Sequence, residues 1–250
     1  MSGHSKWSSI KHKKAATDAK RGNLFTRFIR ELIIAARSGG GDPEANSRLR
    51  HAIEGARAVN MPSDNIKKAI QRGTGELEGV NYEEFSYEGY GPGGVAILAD
   101  AMTDNKNRTV SEVRHVFEKY NGNLGQQGCV SWMFTRKGVI LVPQSAIGED
   151  ELMEIVLESG AEDMVKEGNS YEITTTTEDF DKVREALKAK KLPVESAEIA
   201  KVPSTYIKLE GRQAEQMMKL YDKLEELDDI QNVWANFDIA DEELEKFNKE

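Results

Sequence analysis

From Leu24 onward, Phe25, Phe28, Ile29, Leu32, Ile33 and Ala36 return every three or four residues, the period of a helix that buries one stripe. Asn23 is the expected cap, and Gly39, Gly40 and Gly41 the stop. Asp42 followed by Pro43 predicts the start of a second helix with Leu49, Ala52, Ile53 and Ala56 inward. Asn60, Met61 and Pro62 interrupt that helix. Ser63 then caps a short third one carrying Ile66, Ala69 and Ile70.

From about residue 80 the period shifts towards strands. Phe85 to Glu88 and Gly94 to Ala101 read as strands around a Gly/Pro turn, followed by a helix from Thr109 to Lys119 and a strand from Gly128 to Phe134. Tyr206 to Leu209, a helix bearing Ala214, Met217, Met218, Tyr221 and Leu224, and an alternating strand with Val233, Ala235, Phe237 and Ile239 complete a second unit of this type. Between the two halves lies a separate series. Val139 to Val142, a helix from Glu151, strands flanking Gly168 and Asn169, a helix with Phe180, Val183 and Leu187, and Glu195 to Ala200 give the order βαββαβ, the ferredoxin-like pattern.

The fold class expected is α+β multidomain: an N-terminal helical domain followed by two α+β domains of ferredoxin-like type, one inserted in the other. The expected boundaries are a basic arm plus three-helix domain over 1–79, a split α+β domain over 80–134 and 204–240, the inserted domain over 135–203, and an acidic tail over 241–250. One larger mixed sheet is the alternative.

Charge changes the picture more than composition does. The net charge is −9, but residues 1–75 hold 15 Lys+Arg against 6 Asp+Glu and the remaining 175 hold 19 against 37. A basic front on an acidic chain points to a polyanion as partner of that front. The single cysteine, Cys129, rules out an internal disulfide framework and Cys-based zinc. No apolar stretch reaches the length of a membrane span, so a cytoplasmic protein without a membrane partner is expected.

Within the front, Lys6, Lys11, Lys13 and Lys14 can neutralise phosphates, and Trp7 and His12 offer the stacking faces that unpaired bases need; Lys20 and Arg21 extend the run. The competing account is a solvated basic tail. Arg27, Arg30 and Arg37 fall opposite the apolar stripe of the first helix, and Lys67, Lys68 and Arg72 face outward on the third, so both sets are candidates to enlarge the footprint. The second and third helices resemble a helix-turn-helix in turn length, but the short third helix and Pro62 favour a plain helical hairpin.

Other constellations are weaker. Gly89, Gly91 and Gly94 spell G-x-G-x-x-G, yet Pro92 lies inside and a strand follows where a helix N-terminus is required, so a hairpin turn is expected and no cofactor. Thr109 with Glu112 matches a capping box, while Lys106 and Arg108 before that helix are candidates to grip a phosphate. Asp100, Asp104 and Glu112 are the best carboxylate group for metal-dependent phosphodiester hydrolysis, and no recognisable nucleophile, zinc or P-loop motif joins them. An enzyme is not expected.

Several of these segments together resemble the YebC/PmpR family: GHSKW at Gly3–Trp7, IKHKKAATDAKRG at Ile10–Gly22, NMPSDNI around Pro62, GELEG at Gly75–Gly79, YEGYGPGG at Tyr87–Gly94, TDNKNRT at Thr103–Thr109 and GNLG at Gly122–Gly125. The resemblance implies three domains, one interrupting another. It also implies either a DNA-binding transcriptional regulator or a relative of translational activators linked to stalled ribosomes, and it carries over no catalytic residue. The expectation is a non-enzymatic nucleic-acid-binding regulator engaging ribosomal RNA in support of translation, with DNA-binding transcriptional regulation as the alternative. The acidic domains are candidates to meet basic ribosomal proteins.

Overall fold

The computed structural model describes residues 19–240 and 243, with side chains from Leu24 onward. They form two compact units, the first from residues 19–129 and 211–233, the second from residues 130–210 and the stretch beginning at Trp234. The α+β class holds: helices come first, followed by helices mixed with mainly antiparallel sheets.

The first unit opens with α1 (Ala19–Gly39), α2 (Ser47–Ala58) and α3 (Ser63–Gly73). Their apolar stripes meet in one core containing Leu32, Ile33, Ala36, Leu49, Ile53, Met61, Ile66 and Ala69. Each fully buried Leu or Ile there contributes about 1.5–3 kcal/mol. α1 begins at Ala19, so Asn23 lies inside the helix instead of capping it. The cap of α2 is Asn46, not Asp42: its side chain accepts from the Leu49 N–H at 3.0 Å and donates to the carbonyls of Ala35 and Gly40 at 2.8 and 2.9 Å. One amide thus closes the start of α2 and binds it to the end of α1. α2 ends because Asn60 takes the left-handed conformation (φ 60°), which Asn tolerates better than most residues. Pro62 occupies the N-cap position of α3 without a side-chain bond, and Ser63 is its first helical residue.

β1 (Glu83–Tyr90) and β2 (Ala96–Thr103) pair antiparallel from Glu83↔Thr103 to Tyr90↔Ala96, and Gly93 and Gly94 turn the chain between them at φ 73° and 80°. The G-x-G-x-x-G run is therefore a hairpin. α4 (Lys106–Lys119) follows, then the short β3 (Asn123–Leu124). The returning chain adds α7 (Gly211–Glu225) and β9 (Ile230–Ala235), giving the sheet order β3-β1-β2-β9. α4 starts at Lys106 with Asn105 as cap, so Thr109 is not the expected capping residue. The expected strand from Gly128 to Phe134 is absent: turns and a 3₁₀ segment, Ser131–Met133, lead into a strand that starts at Phe134.

The second unit contains β4 (Phe134–Pro143), α5 (Glu149–Glu158), β5 (Ala161–Glu167), β6 (Ser170–Thr175), α6 (Phe180–Ala189) and β7 (Ser196–Pro203). Their sheet has the order β5-β6-β4-β7, all antiparallel, which is the ferredoxin-like arrangement of a βαββαβ chain. Ile140, Val142, Leu152, Val156, Ile173, Phe180, Val183 and Leu187 fill the layer between sheet and helices. β8 (Ile207–Leu209) and β10 (Phe237–Ile239) form a parallel pair in the same unit; Asn236 separates β10 from β9, so the alternating run expected as one strand serves two sheets.

Candidate nucleic-acid interface

Close packing holds α3 against α1. A Cβ added at Gly73 would stand 2.5 Å from the Ile33 carbonyl oxygen and 2.7 Å from the Ala36 Cβ, so only glycine allows the last turn of α3 to lie this near. With Ile66, Ala69 and Gly73 buried, Lys67, Lys68 and Arg72 are left on the opposite side, spread over an arc of about 140° at 100° per residue. All three are exposed, and among the described residues none has a hydrogen-bonded or ion-paired partner. Asp64, in the first turn, is the only acid on this helix, placed where it favours the helix N-terminus. The face therefore carries a net positive field into solvent.

The other candidate cations have different fates. Lys6, Trp7, Lys11, His12, Lys13 and Lys14 lie outside the described residues, and Lys20 and Arg21 sit in the first turn of α1. Arg27 is half-buried and donates to the Glu225 carbonyl; burial pulls its guanidinium below the ordinary value, against the opposing charge of Glu225. Arg37 is exposed but spends its guanidinium on Asn81 Oδ1 and on the carbonyls of Tyr82 (3.1 Å) and Val80 (3.4 Å), stapling the segment that leaves the helical bundle. Lys106 is exposed and lies 4.6 Å from the centroid of the Phe85 ring.

Arg30 and Arg108 correct the expectation drawn from the helical wheel and the loop. Arg30 is only 8% exposed: it pairs with Asp229 Oδ1 at 3.0 Å, donates to the carbonyls of Met102 (3.3 Å) and Asp228, and lies 5.3 Å from the Tyr82 ring centroid. Arg108 pairs with Asp104 at 2.9 Å and with Asp229 Oδ2 at 2.8 Å. Thr109 Oγ1 and Thr103 Oγ1 donate to the same Oδ2 at 2.6 and 3.0 Å. Asp229 is 2% exposed. Burial alone would raise its carboxyl; the bonds from Arg108 and Thr109, the charge of Arg30 and the Thr103 bond outweigh that and hold it below the ordinary carboxylate range. The guanidinium of Arg108 is raised in turn, by its bonds to Asp229 and Asp104. TDNKNRT is thus a structural knot that closes on a carboxylate 120 residues later, rather than an open phosphate cradle.

Two of the carboxylates singled out for hydrolysis have partners within the protein. Asp100 accepts from Ser86 Oγ at 2.6 Å and Asp104 pairs with Arg108; no three His, Cys, Asp or Glu side chains among the described residues are grouped to hold a metal. Cys129 lies in a turn, not a strand, and burial raises its thiol further above neutrality, with the Glu88 charge adding to the effect. Among the described residues no helix is long and apolar enough to cross a membrane.

Asp229 escaped the reading of the sequence. It stands between a helix and a strand in an acidic LDDI run, where a solvated loop carboxylate is the default, and nothing local marks it. The same is true of Arg48 on α2, which reaches Glu31 at 2.6 Å and Glu84 at 2.7 Å.

Comparison with known proteins covers nearly the whole chain. Residues 5–76 match the family model described as TACO1/YebC protein N-terminal domain, and residues 82–237 the model described as TACO1/YebC second and third domain. A protein of Natranaerobius thermophilus called a probable transcriptional regulatory protein is 57% identical over 248 residues, covering 98% of this chain and 99% of its own. A Geobacter sulfurreducens protein of the same description is 58% identical over 246 residues, with 98% and 99% covered. The crystal structure of a conserved hypothetical protein from Aquifex aeolicus superposes with a TM-score of 0.85 at 51% identity, covering 95% of this chain and 98% of that one.

Proposed function

This chain belongs to the TACO1/YebC family, and from that premise we propose that it is a non-enzymatic regulator of gene expression that binds structured RNA, with the ribosome as its platform, in support of translation. The observation that carries the reading is the face of α3, where Lys67, Lys68 and Arg72 stand exposed and unpaired while Arg27, Arg30 and Arg37 on α1 are bound to the protein itself. Cations left without partners are the ones available to displace counterions from a phosphate chain. The arm that precedes α1, with Lys6, Lys11, Lys13, Lys14, Trp7 and His12, adds charge and stacking faces of the kind unpaired RNA bases accept. The acidic remainder of the chain suits contact with basic ribosomal proteins and discourages non-specific adhesion of that part to nucleic acid.

Co-sedimentation with ribosomes tests it. Binding is expected for the wild-type chain and lost when Lys11, Lys13 and Lys14, or Lys67, Lys68 and Arg72, are changed to Glu. A second reading, a DNA-binding transcriptional regulator using the same cations, is favoured by the names given to the relatives. Sequence-specific protection of promoter DNA at physiological salt, without ribosome association, would establish that reading and overturn the first.

A further inference from the structure

Trp132 is 76% exposed, whereas Trp234, the other tryptophan with a described side chain, is 4% exposed. An isolated apolar side chain at the surface needs no explanation, but this one is mounted firmly. It lies in the 3₁₀ segment Ser131–Met133, between the fully buried Val130 and the first residue of β4. The Met133 N–H donates to the Val130 carbonyl at 2.9 Å, and the Met133 carbonyl accepts from the Ser204 N–H at 2.9 Å. The backbone is held from both sides while the side chain stays 76% exposed, so the backbone has little conformational entropy left to lose when something covers the indole.

The surroundings have an unusual charge. Residues 135–203 contain 15 Asp+Glu against 9 Lys+Arg, yet residues 130–148 and 199–209 contain no acid at all. These two segments lie side by side, because β4 and β7 pair Phe134↔Pro203, Thr135↔Val202 and Arg136↔Lys201. Arg136 and Lys201 are therefore directly opposed neighbours. Arg136 follows Trp132 by four residues, so its Cα lies at most about 13 Å away at roughly 3.3 Å per residue, and Lys201 is the strand neighbour opposite it. Arg136 is exposed and has no ion pair or hydrogen-bonded partner among the described residues. Ser131, Thr135, Ser204 and Thr205, from the same two segments, are exposed as well.

The other surface from which a βαββαβ domain recognises nucleic acid, the helix-free face of its sheet, is closed. Val139, Leu141, Glu172, Thr174 and Ala200 alternate with the helix-facing positions and are all buried. An aromatic platform on this unit is thus found at the start of β4, not on the sheet.

We propose that Trp132, together with Arg136 and Lys201, is a contact for a single-stranded polynucleotide, the indole stacking on an unpaired base and the two cations holding the adjoining phosphates. The proposal rests on the nucleic-acid reading above and adds to it the single-stranded character of one segment of the ligand. Stacking is indifferent to base identity and absent from a closed duplex, so the site discriminates strandedness rather than sequence.

The test uses the full chain with two labelled probes, a 12-nucleotide oligouridylate and a blunt RNA duplex of equal length, read by fluorescence anisotropy across a salt series. Trp132→Ala is expected to weaken oligouridylate binding about fivefold to a hundredfold, the range covered by the loss of one stacked base, with less than a twofold change on the duplex. Trp132→Phe retains most of the affinity because the π-face survives. Arg136→Ala is expected to lower the salt slope on the oligouridylate by about 1. A Trp132→Ala chain that binds both probes like the wild type, or loses both equally, overturns the assignment. A wild-type chain that binds neither probe overturns the nucleic-acid reading itself.

Discussion

Asp229→Asn is the most informative single change in the first unit. The substitution keeps the shape of the side chain, removes its charge and replaces one acceptor oxygen by an NH2 donor. Arg30 would then be left at 8% exposure without a counter-ion, since its remaining bonds go to the Met102 and Asp228 carbonyls. Removing one member of a buried pair costs about 3–5 kcal/mol, because the survivor keeps its desolvation penalty without its compensation. Arg108 lowers that figure little, being 44% exposed and still paired with Asp104. Thr103 and Thr109 are 2.8 Å apart and can bond to each other. An effect of about 3 kcal/mol follows, and at roughly 2–4 °C per kcal/mol for a chain of this size the melting temperature of the unit falls by about 6–12 °C. Arg30→Met should cost less than Asp229→Asn, since Asp229 keeps Arg108 at 2.8 Å and Thr109 at 2.6 Å. The double variant should be more stable than the sum of the two losses predicts, because it leaves no orphaned charge on Arg30.

The pH dependence has a definite sign. A carboxyl held below its unfolded value contributes stability that is fully present above about pH 4 and disappears as pH falls through the folded-state value. Wild-type stability should therefore fall more steeply below pH 4 than that of Asp229→Asn, and the two curves should converge in acid. Calorimetry of the wild type, both single variants and the double variant across pH 2.5–7 reads all these quantities, with each transition fitted separately because the two units need not unfold together. A shift below about 1 °C for Asp229→Asn, or strict additivity in the double variant, would refute the account of Asp229 as the counter-charge that permits Arg30 to be buried.

Two further changes probe how α3 is presented. Asn46→Ala removes the cap of α2 and both bonds to the end of α1 while leaving the Ala35 and Gly40 carbonyls without that donor; a loss of about 2 kcal/mol is expected in urea denaturation, and a loss under 0.5 kcal/mol would contradict the capping role. Gly73→Ala forces a methyl to within 2.5 Å of the Ile33 carbonyl oxygen, so about 1–3 kcal/mol of overpacking is expected together with weaker RNA binding as α3 is displaced; unchanged stability would mean that α1 yields without cost.

Periodicity made the elements legible wherever one face is buried by neighbours close in sequence. The stripe from Phe25 to Ala36 defined α1, and the alternation around the Gly168-Asn169 turn defined β5 and β6, because burial on one side imposes its period on the chain. Helix starts were less legible. Asp42-Pro43 looks like a start, but Asn46 makes three bonds that Asp42 does not, and only the fold brings the carbonyls of Ala35 and Gly40 within its reach. Thr109 failed for a related reason. Its hydroxyl satisfies the local capping pattern on paper, but a buried carboxylate from the α7–β9 connection competes for it and wins. The region around Cys129 and Trp132 misled because β-branched and aromatic residues there imitate a strand, whereas Gly125 and Gly128 donate their N–H groups to Glu88 and bend the chain instead.

The candidate interface shows why a charge count is a poor map of a binding surface. Residues 1–75 carry nine more basic than acidic residues, but of the four arginines on α1 the three with described side chains, Arg27, Arg30 and Arg37, all serve the protein itself. The chemistry of the two cations accounts for this sorting. A guanidinium is planar, weakly hydrated and has five donors, so it can reach several carbonyls and a carboxylate at once and survive burial, as Arg30 does; an ammonium is strongly hydrated and prefers water. Lys67 and Lys68 accordingly remain in solvent, with Arg72 as the one guanidinium on α3. If these three meet phosphates of a duplex, they add about 2–3 to the log-log salt slope, while Arg30 adds nothing however basic its neighbourhood appears in sequence. On the proposed reading the footprint would follow the cations the fold leaves unspent, and lysine spacing on a helix whose arginines are not already claimed would be a better guide to it than net charge.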